Sequence, residues 1–220
     1  MGRSLFDIAL NKQNLVRAHI VAMFCLGIDP GLRNLGCVLL ERNGNDWTLH
    51  WSRTVDVSAA TTKDSMPKIA LALWEMKLPE DGVYDLAIET QAPFGGRNTP
   101  MRIVQYAIQE HFETRRLMSA RAFAFRGSVY YVAPRDKYRA TPTGGIRALD
   151  SGPPGGKKLS YRRRKRETFD TLQSMWGSVV GGGEGSHPMD SHTADAFMCA
   201  AYVLCVKVAG SVGQNQDVSV

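Results

Sequence analysis

Two short apolar segments, each ending in a carboxylate, constrain the fold of this chain more than any other feature. The first is Phe-Cys-Leu-Gly-Ile before Asp29, and the second is Tyr-Asp-Leu-Ala-Ile before Glu89. Short apolar runs bounded by turn residues are typical of buried strands. Two carboxylates at the mouths of two central strands repel each other unless a positive group lies between them. Because carboxylate oxygens suit hard cations, the pair predicts a site for Mg²⁺ or Mn²⁺.

The pattern along the chain predicts a single α/β domain. Strands are expected at 23–28, 35–41, 47–55, 83–89 and 128–132, and helices at 65–77, 99–121, 160–176 and 191–206. Glycine-rich segments at 141–158 and 177–187 are interpreted as loops. Three antiparallel strands followed by alternating strands and helices indicate a five-stranded mixed sheet, parallel in its later strands, with helices on both faces.

The last predicted helix carries a third group of polar residues at its start, Asp190-Ser-His-Thr-Ala-Asp195-Ala. His192 and Asp195 are three residues apart and therefore share a face of the helix. Taken singly, each candidate has an ordinary explanation: Asp29 as a turn residue, Glu89 as an exposed strand end, His192 as a surface residue. Asp190 is interpreted as the helix cap rather than a ligand. Together they predict a site of three carboxylates and a histidine.

We expect the folded domain to cover residues 23–209, with a flexible extension at 1–22 and a flexible tail at 210–220. A weak amphipathic targeting sequence is the alternative for the first 22 residues. No apolar run reaches the roughly 18 residues that cross a bilayer, so no membrane partner is expected.

The charge and the cysteines suggest a class of partner and a compartment. A formal net charge of +6 over 220 residues favours a polyanionic partner. No C-x-x-C pair occurs, and all four cysteines lie in apolar stretches, which suits an intracellular, reducing compartment. The sequence does not decide between a nucleus, an organelle and the host cell of a virus as the compartment. The four cysteines are Cys25, Cys37, Cys199 and Cys205.

The densest basic segment follows the fifth predicted strand. Phosphate binding is the favoured interpretation, because that strand should end near the carboxylates; a solvated face or a nuclear localisation signal is the alternative. The residues are Lys157, Lys158, Arg162, Arg163, Arg164, Lys165 and Arg166.

These segments resemble, in order, the motifs of the RuvC-like Holliday junction resolvases. The first motif is matched by Leu-Gly-Ile-Asp29-Pro-Gly-Leu-Arg-Asn-Leu-Gly, and the second by Ala-Ile-Glu89-Thr-Gln. Val-Ala-Pro-Arg-Asp-Lys137 is similar to the stretch after their fifth strand, and His192-Thr-Ala-Asp195-Ala to their last motif. Tyr-Arg-Arg-Arg-Lys-Arg at 161–166 looks closest to the poxvirus-type and related viral members. The resemblance covers roughly residues 23–207. It departs from the family in long glycine-rich inserts and in His192, where many members have aspartate.

The resemblance implies an RNase H-like fold and a homodimer that resolves four-way DNA junctions by paired symmetric nicks, in recombination and repair. Asp29, Glu89, His192 and Asp195 would hold two Mg²⁺ ions, which Mn²⁺ could replace. One ion would activate water and the other would stabilise the departing 3′ oxygen, leaving a 5′-phosphate and a 3′-hydroxyl. Lys137 would stabilise charge on the phosphate or contact the DNA backbone.

Three further residues are candidates for DNA contact. Phe94, flanked by Pro93 and glycines after the second motif, could stack on an unpaired base at the junction centre, as an aromatic wedge does in bacterial members, or could anchor its loop in the core. Arg97 and Arg135 are the basic residues close to the second motif and to Lys137.

Three other functions compete with this interpretation. An actin-like ATPase needs two such domains, and this chain is too short. A noncatalytic module that binds branched nucleic acid would have no need of Asp29, Glu89 and Asp195. A related nuclease acting on RNA–DNA hybrids stays open, because phosphate contacts carry no sequence information.

Overall fold

The computed structural model describes residues 22–81, 83–90, 99–117, 125–146, 161–180 and 189–214. The strands are β1 (Met23–Asp29), β2 (Asn34–Asn43), β3 (Asp46–Asp56), β4 (Asp85–Glu89) and β5 (Val129–Val132). The helices are α1 (Thr62–Trp74), α2 (Thr99–Leu117), α3 (Tyr161–Val180) and α4 (Ser191–Gln214), with a short 3₁₀ helix at Asp136–Arg139.

The five strands form one mixed sheet in the order β3-β2-β1-β4-β5. β1 pairs with β2 and β2 with β3 in antiparallel fashion, whereas β1–β4 and β4–β5 are parallel. Gly44, with φ of 65°, and Asn45 make the tight turn between β2 and β3, whose last pair is Asn43 with Asp46. The predicted five-stranded mixed sheet is confirmed.

Helices cover both faces of the sheet, and strand alternation divides the core in two. Cys25, Val38 and Ala87 belong to the cluster that packs against α3 and α4. Leu26 and Ile88 point the other way, into the cluster formed with α1 and α2. Because neighbouring residues of a strand face opposite sides, this alternation also decides which face receives the carboxylates at the strand ends.

Several helix boundaries differ from the sequence-based expectation, including the end of α1 at Trp74 rather than at residue 77. α1 begins at Thr62, three residues early, because the Thr61 hydroxyl caps it by accepting a bond from the Asp64 N–H at 3.3 Å. α3 continues through Gly177, although the glycine-rich pattern predicts a loop there, and the buried side chains of Trp176 and Val180 hold this last turn on the core. α4 continues beyond residue 206 to Gln214.

α4 is apolar because most of it is packed in the core of the protein. Ser191–Ala209 is long and apolar enough to cross a membrane by length and composition, with a mean hydropathy of 1.2, but 67% of this stretch is buried inside the protein. The sequence contained no unbroken apolar run of that length because Asp195 and Lys207 interrupt it. The helix lies against β1, β2 and β4, as expected for the core helix of a globular domain.

Candidate metal centre

Three carboxylates from distant parts of the chain meet at one edge of the sheet. Oxygen atoms of Asp29, Glu89 and Asp195 all lie within 4.8 Å of one another. β1 and β4 are parallel neighbours in which Ile28 pairs with Ile88, so the next residues of the two strands stand side by side. They share the face that α4 covers. The predicted convergence of the two strand ends with the last helix is therefore observed.

Two glycines let the first turns of α4 lie directly on the sheet. A Cβ on Gly27 would stand 2.0 Å from the carbonyl oxygen of Ala196, and a Cβ on Gly36 would stand 2.4 Å from that of His192. Any larger side chain would push the helix away from the strand ends. The sequence contains both glycines inside the first motif, but nothing local showed that they contact the helix.

Asp190 caps α4, as predicted. Its Oδ1 accepts hydrogen bonds from the backbone N–H groups of His192 and Thr193, each at 2.9 Å. Burial opposes ionisation of this carboxyl, but the backbone N–H of Thr193 and its other hydrogen bonds lower the pKa of Asp190 below its usual value. The cap orients the helix so that Asp195, one turn further on, faces the cluster.

His192 lies beside the carboxylates and contacts one of them. Its Nδ1 is 3.2 Å from Oδ2 of Asp29, and its Nε2 is 3.4 Å from Nδ2 of Asn34 at the start of β2. Among the described residues, the group with ligand atoms close enough to share an ion consists of the three carboxylates, without the histidine. The structure therefore shows His192 as a neighbour of Asp29, and its predicted role as a ligand stays a prediction. Asn34 was not singled out from the sequence.

Lys137 stands inside the cluster. It comes from the 3₁₀ helix after β5, and its side chain is 3% exposed. Its Nζ donates to Oε2 of Glu89 at 3.0 Å and to Oδ1 of Asp195 at 2.5 Å. In this arrangement its ammonium neutralises carboxylate charge, and its contact with a DNA phosphate stays a prediction.

Burial and charge act against each other at this centre. Burial raises the pKa of Glu89 to about 7; the Lys137 ammonium opposes the rise, and the carboxylates of Asp29 and Asp195 add to it. Burial alone would lower the pKa of Lys137, but the carboxylates of Glu89 and Asp195 raise it well above its ordinary range. The lysine is therefore charged, and Glu89 takes up a proton more readily than an ordinary glutamate does.

The donor set fits a hard divalent cation. All three groups are carboxylates, the oxygen ligands that Mg²⁺ and Mn²⁺ prefer. With all three ionised, the cluster carries three negative charges, more than the single Lys137 ammonium balances. The centre can therefore hold such an ion once the ammonium and the oxygens rearrange.

A cleft of about 440 Å³ opens next to the centre. It is lined by Arg33, Asn34, Asp56, Ser58 and Ala59, at the ends of β2 and β3. Asn34 joins it to the carboxylates, since this residue contacts His192. Arg33 and Asn34 belong to the first motif, and this is the sequence feature that could have identified them as site residues. Their position beside the site, however, depends on the pairing of β2 with β3.

The remaining predicted DNA-contact residues are only partly described. Arg135 is exposed on the turn before Lys137, with its Nε 3.8 Å from Oδ1 of Asp136. Arg166 is exposed on α3. Lying outside the described residues are Phe94, Arg97, Lys157 and Lys158, together with the side chains of Arg162, Arg163, Arg164 and Lys165.

No protein-family model matches the sequence, and no curated protein sequence matches it either. Solved structures do. RuvC from Thermus thermophilus has a TM-score of 0.56 at 18% identity, over 86% of this chain and 97% of that one. The structure of T. thermophilus RuvC in complex with Holliday junction substrate has a TM-score of 0.56 at 19% identity, over 86% of this chain and 98% of that one. The fold is RNase H-like.

Two further resolvases share this similarity. The yeast mitochondrial Holliday junction resolvase Ydc2 has a TM-score of 0.51 at 11% identity, covering 92% of this chain and 89% of that one. The fowlpox virus resolvase, in complex with Holliday junction DNA, has a TM-score of 0.48 at 15% identity, covering 84% and 99%. The similarity to RuvC and to Ydc2 confirms, as a likeness of fold, the resemblance to RuvC-like resolvases that the motifs indicated.

Proposed function

We propose that this protein is a metal-dependent endonuclease that resolves four-way DNA junctions. The observation that carries the proposal is the meeting of Asp29, Glu89 and Asp195 at one edge of an RNase H-like sheet. RuvC of Thermus thermophilus, which shares the fold, has been solved on a Holliday junction substrate. Fold alone does not imply function; the carboxylate cluster supplies the chemistry that hydrolysis of a phosphodiester needs.

The residues present support in-line hydrolysis. Asp29, Glu89 and Asp195 would hold up to two Mg²⁺ ions, or Mn²⁺ in their place, and His192 would orient Asp29 or join as a ligand. Ions bound there supply the activation of water and the neutralisation of charge on the leaving 3′ oxygen. The products are a 5′-phosphate and a 3′-hydroxyl.

Positive groups flank the centre along the sheet edge. Arg33 lines the cleft on the β2–β3 side, and Arg135 is exposed on the β5 side. A DNA strand that crosses the carboxylates along this edge would meet a cation on either side. The net charge of +6 and the basic start of α3 fit the same polyanionic partner.

We also propose that the chain acts as a homodimer, since paired symmetric nicks need two active sites. Val104, Ile108 and Phe112 on α2 are fully buried core residues, so they are not available to a partner. The outer side of α2 exposes Ile103 and Tyr106. Tyr131 on the edge strand β5 is also exposed and bonds to Gln109 of α2. We call the patch of Ile103, Tyr106 and Tyr131 the α2 face.

The test is cleavage of a synthetic four-way junction. Asp29→Asn and Asp195→Asn should each abolish cleavage in Mg²⁺ and leave junction binding largely intact, because the carboxylates bind ions and not the bulk of the DNA. Asp46→Asn, which removes an exposed carboxylate at the β2–β3 hairpin, is the matched control and should cut normally.

Two outcomes would contradict the proposal in different ways. A wild-type protein that binds junctions and never cuts them would be a noncatalytic junction-binding module. Equal cutting of linear duplex or of an RNA–DNA hybrid would show a nuclease without junction specificity.

A further inference from the structure

Lys137 is the positive group that the carboxylate cluster already contains. We propose that this lysine is an exchangeable counter-ion: it holds the cluster together in the metal-free protein, and metal binding displaces its ammonium towards the open edge of the sheet. The inference rests on the proposed function in one respect, namely that a divalent ion binds at these carboxylates.

The contacts of Lys137 make it a competitor of the metal. Its Nζ bonds to two of the three carboxylates, at 3.0 Å to Glu89 and 2.5 Å to Asp195. The oxygens of all three lie within 4.8 Å of one another, so a divalent ion that all three bind would need the Glu89 and Asp195 oxygens that the ammonium now contacts. The ammonium cannot keep these contacts while the ion takes the same oxygens, because the two like charges would be about 4 Å apart or less and would repel strongly in a buried site. The ammonium must therefore leave when the ion enters.

The same contacts explain why the lysine is there. Three carboxylates buried together without a cation would destabilise the folded chain, because an unpaired buried charge is costly. Asp29 and Asp195 are both buried, and the Glu89 side chain is nearly so. The ammonium neutralises one charge before any metal is bound. The protein can therefore fold first and take up metal afterwards.

The backbone around Lys137 is held firmly, which confines the exchange to its side chain. The segment after the 3₁₀ helix is pinned to the β2–β3 hairpin: Trp47 donates to the carbonyl of Pro142 at 2.7 Å, and Arg42 donates to that of Gly144 at 3.4 Å. Ala140 also forms a bridge with Ile146. A lysine side chain has four rotatable bonds, so its ammonium can swing by several ångströms while the backbone stays in place.

The displaced ammonium would move to the edge of the sheet where Arg135 is already exposed. A cation at that position is placed to contact a phosphate of DNA lying over the carboxylates. Metal loading would then produce a phosphate-binding lysine that the metal-free protein keeps buried. This connects the observed position of Lys137 with the phosphate contact expected from its motif.

Amine acetylation of the wild-type protein, read by mass spectrometry, tests the exchange directly. Without metal, Lys137 should be acetylated slowly, because it is buried and paired. Saturating Mg²⁺ should raise its rate at least about tenfold, since the displaced group reaches solvent and, away from the carboxylates that hold its proton, forms the reactive neutral amine more readily. Lys207 is the internal reference: it is paired with a buried aspartate, Asp85, at 2.6 Å, and its side chain is 37% exposed. Its rate should be the same with and without Mg²⁺. Equal protection of Lys137 in both states would overturn the proposal.

Calorimetric titration with Mn²⁺ gives a second readout that does not depend on activity. Lys137→Met should bind Mn²⁺ at least about tenfold more tightly than wild type, because the competing charge is gone. The metal-free form of this variant should melt several degrees below metal-free wild type, and Mn²⁺ should remove that difference in melting temperature. Lys207→Met loses a lysine–aspartate pair of the same kind at the other end of β4, and its Mn²⁺ affinity should not change.

The two readouts separate the failure of this inference from that of the proposed function. If wild type, Lys137→Met and Asp29→Asn all fail to bind Mn²⁺, the metal centre itself is wrong. If wild type binds Mn²⁺ while Lys137→Met binds it no more tightly, the metal centre stands and the exchange is overturned.

Discussion

Gly27 of β1 lies against the backbone of α4: a Cβ on Gly27 would stand 2.0 Å from the carbonyl oxygen of Ala196. Gly27→Ala should therefore lower the free energy of unfolding by about 1–3 kcal/mol, the usual cost of overpacking a core, and should weaken Mn²⁺ binding because Asp195 moves with the helix. Urea denaturation and calorimetry measure the two effects.

Gly177→Ala is the matched control for that substitution. Gly177 also lies in a packed element, α3, but a Cβ there meets nothing within 4 Å. Alanine is the better helix former, so stability should rise by about 0.5–1 kcal/mol. If Gly27→Ala proved as harmless as Gly177→Ala, the close contact between α4 and β1 would be wrong.

His111 on α2 should make stability depend on pH. Its ring packs edge-on against Trp74, with centroids 6.1 Å apart. Burial, followed by the charge of Arg115, lowers the pKa of His111 from 6.5 to about 4. Between those two values the unfolded chain binds the proton and the folded chain does not. The contribution of the neutral His111 ring to the free energy of unfolding is therefore complete above pH 6.5 and is lost as the pH falls towards 4.

The loss through His111 should amount to about 1–2 kcal/mol between pH 6.5 and 4, allowing for the partial solvent exposure of the ring. Urea denaturation across this range measures it. His111→Phe keeps an aromatic ring and removes the titration, so its stability should fall less than that of wild type. Parallel curves for the two proteins would contradict the lowered pKa.

Arg33 should contribute one phosphate contact. Arg33→Ala should weaken junction binding several-fold and reduce the slope of log affinity against log salt by about 0.9, the value for one phosphate contact. Fluorescence anisotropy over a range of salt concentrations measures both. Arg53→Ala is the control, because Arg53 lies along β3 with its Nη2 3.9 Å from Oε2 of Glu75. If both variants behaved like wild type, DNA would not pass over the cleft.

The α2 face should mediate dimerisation. Introducing Ile103→Glu and Tyr106→Glu together places two charges in an apolar patch, so the protein should sediment as a monomer and nick junctions on one strand without pairing the cuts. Leu71→Glu, at another exposed apolar position on α1, should leave the dimer intact. A double variant that still sediments as a dimer would place the interface elsewhere.

Most of the fold could be predicted because it depends on local patterns. The strands follow from short apolar runs bounded by turn residues, a pattern that involves only neighbours in sequence. The errors arose where one local signal competed with another. Gly177 suggested the end of a helix, but the buried Trp176 and Val180 keep the helix going. The Thr61 cap was missed because the apolar spacing after it begins only later.

The amino-acid sequence was sufficient to identify the carboxylates Asp29, Glu89 and Asp195 and their places at two strand ends and one helix start. What lies between and beneath them depends on the folded arrangement: the Lys137 ammonium among the carboxylates, and Gly27 and Gly36 under α4. These relationships join residues that are 48 to 169 positions apart in pairs such as Lys137–Glu89 and Gly27–Ala196. Such contacts depend on strand order, register and the closeness of helix to sheet, which no short stretch of sequence contains.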